Sequence, residues 1–344
     1  MEVFGVTLTL LALVTIVLTL FFDFVNGFND SANSISTIIA TKVLSPLQAV
    51  TMAAVFNFFG IFIWHNIAKT IGTGIIDIGL IQDEIFVILF CAVGAAIVWD
   101  LITWWFGIPT SSSHALIGGL IGAGVGFAGV GAIEWSGTGL TIIFIAVSPL
   151  VGLIAAFLLT SFVMRIARNS SRLKVNHWFR RLQLVSAATL SLTHGANDAQ
   201  KGMGIVTLVI IASTTTGSLA NVQFDIPLWV LLACQTAISL GTFFGGWRIV
   251  KTMASRITHL DPSQGFCAET GAAAMLFTTA AIGVPVSTTH TISGAIMGVG
   301  ATRRLSAVRW GVGRRIVVAW ILTIPAAATV SGLLFLVMRF LGFT

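Results

Sequence analysis

Asp23-Phe-Val-Asn-Gly-Phe-Asn-Asp-Ser-Ala-Asn33 and Ser191-Leu-Thr-His-Gly-Ala-Asn-Asp-Ala-Gln-Lys201 are two polar stretches in an otherwise apolar sequence. Each contains Gly-x-Asn-Asp, and the two lie almost half the chain apart. Carboxylates and amides in apolar surroundings are costly unless they are paired or serve a function. A sequence that accepts this cost twice predicts two matching functional elements.

The composition is that of a membrane protein. Of the 344 residues, 56% are hydrophobic and 9% are charged, whereas about 25% charged residues is usual for soluble domains. The mean hydropathy is +0.99, and repeated apolar runs of ~20 residues predict transmembrane helices. The predicted fold class is all-α, a polytopic transmembrane helical protein. The first apolar run, from Val3 to Phe22, lacks a basic region and a cleavage site, so we expect a retained helix.

The charged residues lie mainly in the connections between apolar segments. Basic residues cluster in three connections: 165–181, 248–256 and 303–315. Acidic residues without basic neighbours mark three others: 77–84, 134 and 225. The positive-inside rule places the basic connections in the cytoplasm, and we place the acidic ones outside. The net charge of +6 is thus explained without a nucleic-acid partner, and a multi-pass protein of the inner (plasma) membrane is predicted.

These orientations make each segment of the second half run opposite to its counterpart in the first, which is typical of inverted-topology repeats. Matching motifs support the repeat, because Gly107-Ile-Pro-Thr-Ser-Ser-Ser-His114 is similar to Gly283-Val-Pro-Val-Ser-Thr-Thr-His290. We therefore predict three regions: a first inverted repeat at 1–165, a basic cytoplasmic linker at 166–182 and a second inverted repeat at 183–344.

Each Gly-x-Pro-x-Ser motif predicts the turn of a helical hairpin. Glycine favours the end of one helix, proline is tolerated at the start of the next, and Ser or Thr caps helix N-termini. If the turns lie at membrane depth, hydroxyls and free N–H groups converge at the positive ends of two helices, which favours anion binding. With one hairpin from each side, the turns could meet. The alternative is a pair of ordinary hairpins with capped turns.

The Asn-Asp stretches predict cation sites within broken helices. Asn26-Gly27 and His194-Gly195 are helix-ending signals, and the Asn-Asp pairs that follow are helix-starting signals. A helix broken there would leave oxygen atoms free to bind Na⁺ or a proton. The candidates are three carboxylates and three amides: Asp23, Asp30, Asp198, Asn26, Asn29 and Asn197.

Other charged residues leave alternatives open. Lys201, at the position of Asn33, could neutralise the carboxylates or attract an anion. The simplest alternative is a structural ion pair between Asp198 and Lys201, which are three residues apart on a helix. Asp100 and Glu269 lie on hairpin arms and are weaker candidates, which could merely hydrogen-bond a neighbouring helix.

Two motifs that could suggest an enzyme are better explained by a membrane fold. Gly124-Val-Gly-Phe-Ala-Gly129 fits Gly-x-Gly-x-x-Gly, but no strand precedes it, so close helix packing is the better interpretation. Ser111 and His114 could imitate part of a hydrolase triad, but their duplication favours a symmetric pore over one catalytic centre. We predict that the protein is not an enzyme and has no catalytic residues.

Together these motifs resemble the PiT family of inorganic phosphate transporters. The two Gly-x-Asn-Asp stretches and the two Pro-x-Ser hairpin motifs occur in the right order, and the resemblance covers nearly the whole chain. It implies a cation-coupled anion symporter of inverted repeats in the lipid bilayer, usually a homodimer. The first stretch departs from the common Gly-Ala-Asn-Asp, having Phe28 before Asn29, which affects local packing rather than the ligands.

The resemblance also implies roles for particular residues. Phosphate would be bound by hydroxyls and one amide: Ser111, Ser112, Ser113, Gln200, Ser287, Thr288 and Thr289. Na⁺ or H⁺ coupling would involve a second set: Asp23, Asn26, Asn29, Asp30, Thr193, Asn197 and Asp198. Within that set the candidate Na⁺ ligands are Asp23, Asn26, Asp30, Asn197 and Asp198. The accessory candidates are His114, His290, Lys201 and Glu269.

The sequence thus predicts a secondary active transporter that imports inorganic phosphate by symport with Na⁺ or H⁺. Access would alternate, with the anion bound between the two repeats. No cofactor is expected besides the coupling ion. A sulfate transporter on the same scaffold is the nearest alternative, because sulfate shares the shape and charge of phosphate. A passive channel and an intramembrane enzyme acting on phosphorylated lipids are further alternatives.

Overall fold

The computed structural model is almost entirely helical and describes residues 2–3, 6–7, 9–63, 66–215, 219 and 223–343. Two short strands pair antiparallel at the N-terminus, β1 (Glu2–Val3) and β2 (Val6–Thr7). The helices follow in chain order: α1 (Leu10–Ala40), α2 (Pro46–Phe59), α3 (Asn66–Thr73), α4 (Ile78–Ile81), α5 (Ile85–Phe106), α6 (Ser112–Ala128), α7 (Trp135–Ala167), α8 (Arg172–Thr214), α9 (Leu228–Phe244), α10 (Trp247–Ser255), α11 (Pro262–Ile282), α12 (Thr288–Ala301) and α13 (Trp310–Phe340).

The predicted polytopic helical fold is confirmed. Among the described residues, five helical segments are long and apolar enough to cross a membrane, or up to seven if each of two bent helix pairs counts as one crossing. The outer faces of α7 and α13 carry exposed apolar side chains, including Ile143, Leu158 and Leu333. Extended apolar faces of this kind suit contact with lipid.

The helix breaks predicted at the Asn-Asp stretches are wrong. Helices α1 and α8 run without interruption through both stretches. The glycines there allow close helix packing instead of ending a helix. A Cβ on Gly27 would collide with the main-chain carbonyl of Ile238 in α9, and one on Gly195 with that of Asn57 in α2. Contact with a neighbouring helix therefore overrides the local tendency of these residues to end a helix.

Broken helices are present, but at other positions. Helices α9 and α10 differ in direction by 66°, and the chain turns between them at Gly245, where φ is 71°. Helix α2 with the 3₁₀ turn that follows it differs in direction from α3 by 82°. Residues 64 and 65, between these two segments, lie outside the described residues. The short helices α3 and α10 are therefore sharply bent away from the axes of the helices that precede them.

Both predicted hairpins are present. Helix α5 ends at Gly107, where φ is 64°, and Ser111 caps the start of α6. Helix α11 ends at Gly283, where φ is 74°, and Ser287 caps the start of α12. Glycine adopts positive φ at little cost, and a capping serine satisfies a free N–H of the first turn. The proline of each motif lies in the turn before the cap.

Helices from the two halves of the chain pack against each other in matched pairs. Helix α6 of the first half packs on α13, and α12 of the second half packs on α7. In the same way α1 packs on α9, and α8 packs on α2. The hairpins and the two long central helices are therefore each held by elements of the other half, which brings the polar stretches together.

Candidate functional site

The site forms where the middles of α1 and α8 meet the first turns of the hairpin helices. Asn29 Nδ2 donates to the carbonyl oxygen of Asp100 at 3.0 Å. Asn197 Nδ2 donates to that of Leu276 at 3.4 Å. The Oδ1 atoms of both asparagines are buried and have no donor among the described residues. Two neutral oxygens in matching places can therefore serve a ligand.

The second hairpin joins the two central aspartates. Thr289 Oγ1 donates to Asp30 Oδ1 at 3.2 Å. Thr288 Oγ1 donates to Asp198 Oδ2 at 3.4 Å. Asn33 Nδ2 donates to both threonine hydroxyls, at 3.1 and 2.9 Å. Since the two threonines begin α12, both carboxylates lie near the positive end of that helix, which favours negative charge.

Each aspartate also has a polar partner four residues earlier on its own helix. His194 Nε2 lies 3.3 Å from Asp198 Oδ2. In the amide orientation that satisfies its neighbours, Asn26 Nδ2 donates to Asp30 Oδ2 at 3.3 Å and to Ser112 Oγ at 3.1 Å. Side-chain atoms of Asp30, His194 and Asp198 lie within 4.8 Å of one another. The cluster is therefore compact enough to hold a cation.

Lys201 places one ammonium group among several carboxylates. Its Nζ lies 3.3 Å from Asp198 Oδ2, so the ion pair that we considered as an alternative from their spacing is present. The residue is 1% exposed. Asp23, Asp30 and Asp100 are also buried and close enough to interact with this charge. If all four carboxylates were ionised, their negative charge would exceed the positive charge of the one ammonium group. In apolar surroundings this net negative charge requires bound cations or protons to neutralise it.

The first turns of the two hairpin helices meet, as the sequence predicts. The ring centroids of His114 and His290 lie 4.8 Å apart, and His290 stacks on Trp320 at 3.9 Å. The hydroxyl-bearing residues beside them are at most 4% exposed: Ser111, Ser112, Ser113, Ser287, Thr288 and Thr289. Two helix N-termini that converge with hydroxyl groups in a buried space suit an anion.

Two further predicted residues bond the main chain, and a third is buried beside a cysteine. Thr193 Oγ1 donates to the main chain of its own helix. Gln200 also bonds its own helix, and its Oε1 accepts from the main-chain N–H of Ala68 in α3 at 3.0 Å. Asp23 is buried near Cys234 of α9. In this conformation Gln200 therefore joins α8 to the first turn of α3.

Glu269 lies in a separate buried cluster. Gln183 Nε2 donates to its Oε1 at 2.9 Å, and the Ser186 hydroxyl donates to its Oε2. Thr41 Oγ1 donates to Gln183 Oε1 at 2.9 Å, which extends the cluster to the end of α1. The carboxylate thus bonds a neighbouring helix, as one of the two alternatives for this residue predicted.

Each hairpin turn is held by the short helix of the other half. Thr252 of α10 donates from Oγ1 to the carbonyl oxygen of Gly107 at 2.8 Å. Thr70 of α3 donates from Oγ1 to the carbonyl oxygen of Gly283 at 2.9 Å. We name these contacts the α10 latch and the α3 latch. They fix both turns next to the buried hydroxyl groups.

A second bond strengthens each latch. Arg248 Nη1 donates to the carbonyl oxygen of Trp105 at 2.7 Å, and its guanidinium lies over the rings of Trp104 and Trp105 at 5.0 and 4.2 Å. Asn66 Nδ2 donates to the carbonyl oxygen of Ala281 at 3.0 Å. Because a guanidinium over aromatic rings adds a cation–π attraction, the α10 latch has the stronger contacts.

Some residues of the network were not predicted from the sequence. Asn33 follows Asp30 by three residues and therefore shares its helix face, so this spacing could have identified it. Asn57 bonds Thr242 at 2.7 Å and lies 3.3 Å from His194 Nδ1. Asn57 and Thr242 come from other segments, and no local sequence motif marks either of them as part of the site.

Comparison with known proteins agrees with this geometry. A model of the phosphate transporter family matches residues 26–174 and 165–331. The chain belongs to this family. Similar members include a probable low-affinity inorganic phosphate transporter of Rhizobium meliloti, 52% identical over 92% of this chain and 93% of the relative. Another, of Bacillus subtilis, is 43% identical over 96% of this chain and 98% of the relative.

A solved structure of a sodium-dependent phosphate transporter has the same fold, with a TM-score of 0.86 and 26% identity over 96% of this chain and 100% of that one. Membership in the phosphate transporter family confirms the resemblance seen in the sequence and makes the protein a membrane transporter rather than an enzyme. The relatives described here are all named for phosphate, and none supports the sulfate alternative.

Proposed function

We propose that this protein imports inorganic phosphate by symport with Na⁺ or H⁺. The observation that carries the proposal is the meeting of two hairpin N-termini, rich in hydroxyls, with the carboxylates of Asp30 and Asp198 at hydrogen-bond distance. An anion site and a cation site that share side chains can be filled together. That is the physical requirement of symport.

The anion half of the site consists of the hydroxyls at the two hairpin turns, with Gln200 Nε2 as a further donor once it leaves the carbonyl oxygen of Ala196. Free N–H groups at the start of α6 and α12 add donors at the positive ends of both helices. Phosphate carries a proton that it can donate to a carboxylate, and both aspartates contact the second hairpin. This contact favours phosphate over sulfate, which has no such proton near neutral pH.

The cation half consists of the carboxylates and amides around Asp30 and Asp198. Na⁺ prefers oxygen ligands, and the buried Oδ1 atoms of Asn29 and Asn197 have no donor among the described residues. An unsatisfied buried carbonyl oxygen is costly. Binding of a cation would remove this cost, whereas contact with an apolar neighbour would not. Asp23 and Thr193 are further candidates on the same two helices.

Charge arithmetic explains why cations must accompany the anion. Each charge that moves against a negative-inside potential costs about 2.3 kcal/mol per 100 mV. Two accompanying positive charges therefore cancel this electrical cost for a phosphate dianion, and a third would make the membrane potential favour import. Filling of the cation half would also reduce the negative charge that repels the anion.

Two inverted repeats, 1–165 and 183–344, would expose the site alternately to the two sides of the inner membrane. The matched helix pairs and the matched latches support a repeat, since each contact recurs between counterpart elements. The basic linker 166–182 would lie in the cytoplasm by the positive-inside rule. A homodimer in the membrane is part of the proposal, as the family resemblance implies.

The test is uptake of labelled phosphate into proteoliposomes with Na⁺ and pH gradients imposed separately. We expect uphill accumulation driven by one of the two gradients and little inhibition by unlabelled sulfate. Equilibration without accumulation under either gradient would indicate a passive channel. Full competition by sulfate would show that the hydroxyl groups do not distinguish the two anions.

A further inference from the structure

The residues that follow the two central aspartates by three places differ in charge. Asn33 follows Asp30 by three residues on α1, and Lys201 follows Asp198 by three residues on α8. The remaining contacts of the two aspartates correspond, since each has a threonine donor and a polar partner one turn earlier. Asn33 is neutral and bonds the second hairpin, whereas Lys201 brings a full positive charge.

The Lys201 ammonium lies among oxygen atoms of the kind that bind metal cations. Besides Asp198 Oδ2 at 3.3 Å, its Nζ lies 3.0 Å from Asn26 Oδ1 in the amide orientation given above. One ligand comes from α8 and the other from α1. Carboxylate and amide oxygens are the kinds of ligand that hard cations prefer. The ammonium and a Na⁺ ion would compete for the same two atoms.

Two other roles for Lys201 explain these contacts less well. A lysine reserved for the anion would be weakened by contact with Asp198, because the carboxylate offsets its attraction for phosphate. A purely structural ion pair in the interior is not by itself stabilising, because desolvation of both charges offsets their attraction. Neither role explains why the counterpart of Lys201 in the first half is the neutral Asn33.

We propose that Lys201 is a built-in cation, whose ammonium permanently takes the place between Asp198 and Asn26 that a coupling ion would otherwise fill. The inference rests on the proposed symport function and narrows it. While Lys201 is in place, Asn26 and Asp198 are not Na⁺ ligands, and the exchangeable cation binds on the side of Asp30. Fewer external cations are then needed to offset the carboxylates.

The experiment measures thermal unfolding of the purified full-length protein in detergent, in NaCl and in choline chloride of equal concentration. Since an ion that binds only the folded protein raises its melting temperature, Lys201→Asn should gain a Na⁺-specific rise larger than that of the parent. Lys201→Arg, which keeps the charge, should respond as the parent does. In Lys201→Asn combined with Asp198→Asn, the gain should disappear.

A Na⁺ response of Lys201→Asn equal to that of the parent overturns the proposal, and so does an equal gain in Lys201→Arg. If Lys201→Asn does not give folded protein, Lys201→Gln is measured instead with the same criteria. Titration with inorganic phosphate is the second readout, and loss of its stabilising effect with an unchanged Na⁺ response would make Lys201 an anion ligand. Failure of phosphate uptake by the parent would refute the transport function but leave the Na⁺ comparison valid.

Discussion

Thr252 donates a hydrogen bond of 2.8 Å from its hydroxyl to the carbonyl oxygen of Gly107, the residue at which the first hairpin turns. The bond joins a short helix of the second half to the hairpin of the first. Its counterpart joins Thr70 to Gly283. Because the anion-site hydroxyls are buried, the protein must open before an ion can reach them, and we expect the opening to occur at one of these two contacts.

Removal of one latch should open the site toward one face of the membrane. Thr252→Val keeps the side-chain shape but removes the donor, a loss of about 0.5–1.5 kcal/mol. We expect a reporter thiol at Thr110→Cys to react severalfold faster with a membrane-impermeant reagent, and only from the face that carries the basic connections. Thr70→Val should do the same for Val286→Cys from the opposite face. Rates are measured in proteoliposomes of known orientation.

Two controls accompany this experiment. Thr252→Ser and Thr70→Ser retain the hydroxyl and should restore slow labelling. The parent provides the blank, since Cys91, Cys234 and Cys267 are buried. Faster labelling from both faces by a single valine variant would mean that the latches are not separate gates.

Loss of either central carboxylate should stop transport. Asp30→Asn removes a titratable carboxyl group that lies at hydrogen-bond distance from Thr289, and Asp198→Asn removes the partner of Lys201. We expect phosphate uptake in proteoliposomes to be abolished in both, with the protein still in the membrane. Asp83→Asn, on an exposed acidic connection, is the matched control and should transport normally. Normal uptake by both central variants would refute the site assignment.

The Thr289 hydroxyl should matter for affinity because it links the anion half to the cation half. It donates to Asp30 Oδ1 and accepts from Asn33. In the proposed anion site the same hydroxyl donates to phosphate when phosphate binds. A hydrogen bond to a charged group contributes about 1.5–3 kcal/mol, so Thr289→Ala should weaken apparent phosphate affinity by roughly ten- to hundredfold. The measurement is the concentration dependence of initial uptake.

Thr278→Ala is the control for that variant, because Thr278 is exposed and bonds only within its own helix. It should leave the affinity unchanged. An unchanged affinity in Thr289→Ala would place the anion away from the second hairpin turn.

The hairpins could be predicted from the sequence because their signals are local. A glycine that adopts positive φ and a serine that caps the next helix act over a few residues, and both appear twice. The family and the polar residues of the site followed from the same repeated motifs. The contact between Asp198 and Lys201 followed from helical spacing alone.

The helix breaks could not be placed correctly, because tertiary contacts decide them. A glycine after asparagine often marks the end of a helix. Here Gly27 instead faces the backbone of Ile238 and lets two helices approach closely. The two latches could not be predicted from the sequence either, since Thr252 and Gly107 lie far apart in the chain. Thr252 lies on an amphipathic helix, and no sequence motif in that helix indicates that it contacts Gly107.

Close packing at Gly27 gives a last prediction, on stability rather than transport. A side chain at this position would displace the backbone of Ile238 and separate α1 from α9, and overpacking of this kind costs about 1–3 kcal/mol or more. Gly27→Leu should therefore lower the melting temperature in detergent and reduce the yield of monodisperse protein. Gly139→Leu is the matched control, because no atom lies near its added Cβ, and it should unfold like the parent. Equal stability of the two variants would mean that α1 and α9 are not in close contact at Gly27, and that its place in the Asn-Asp stretch has another cause.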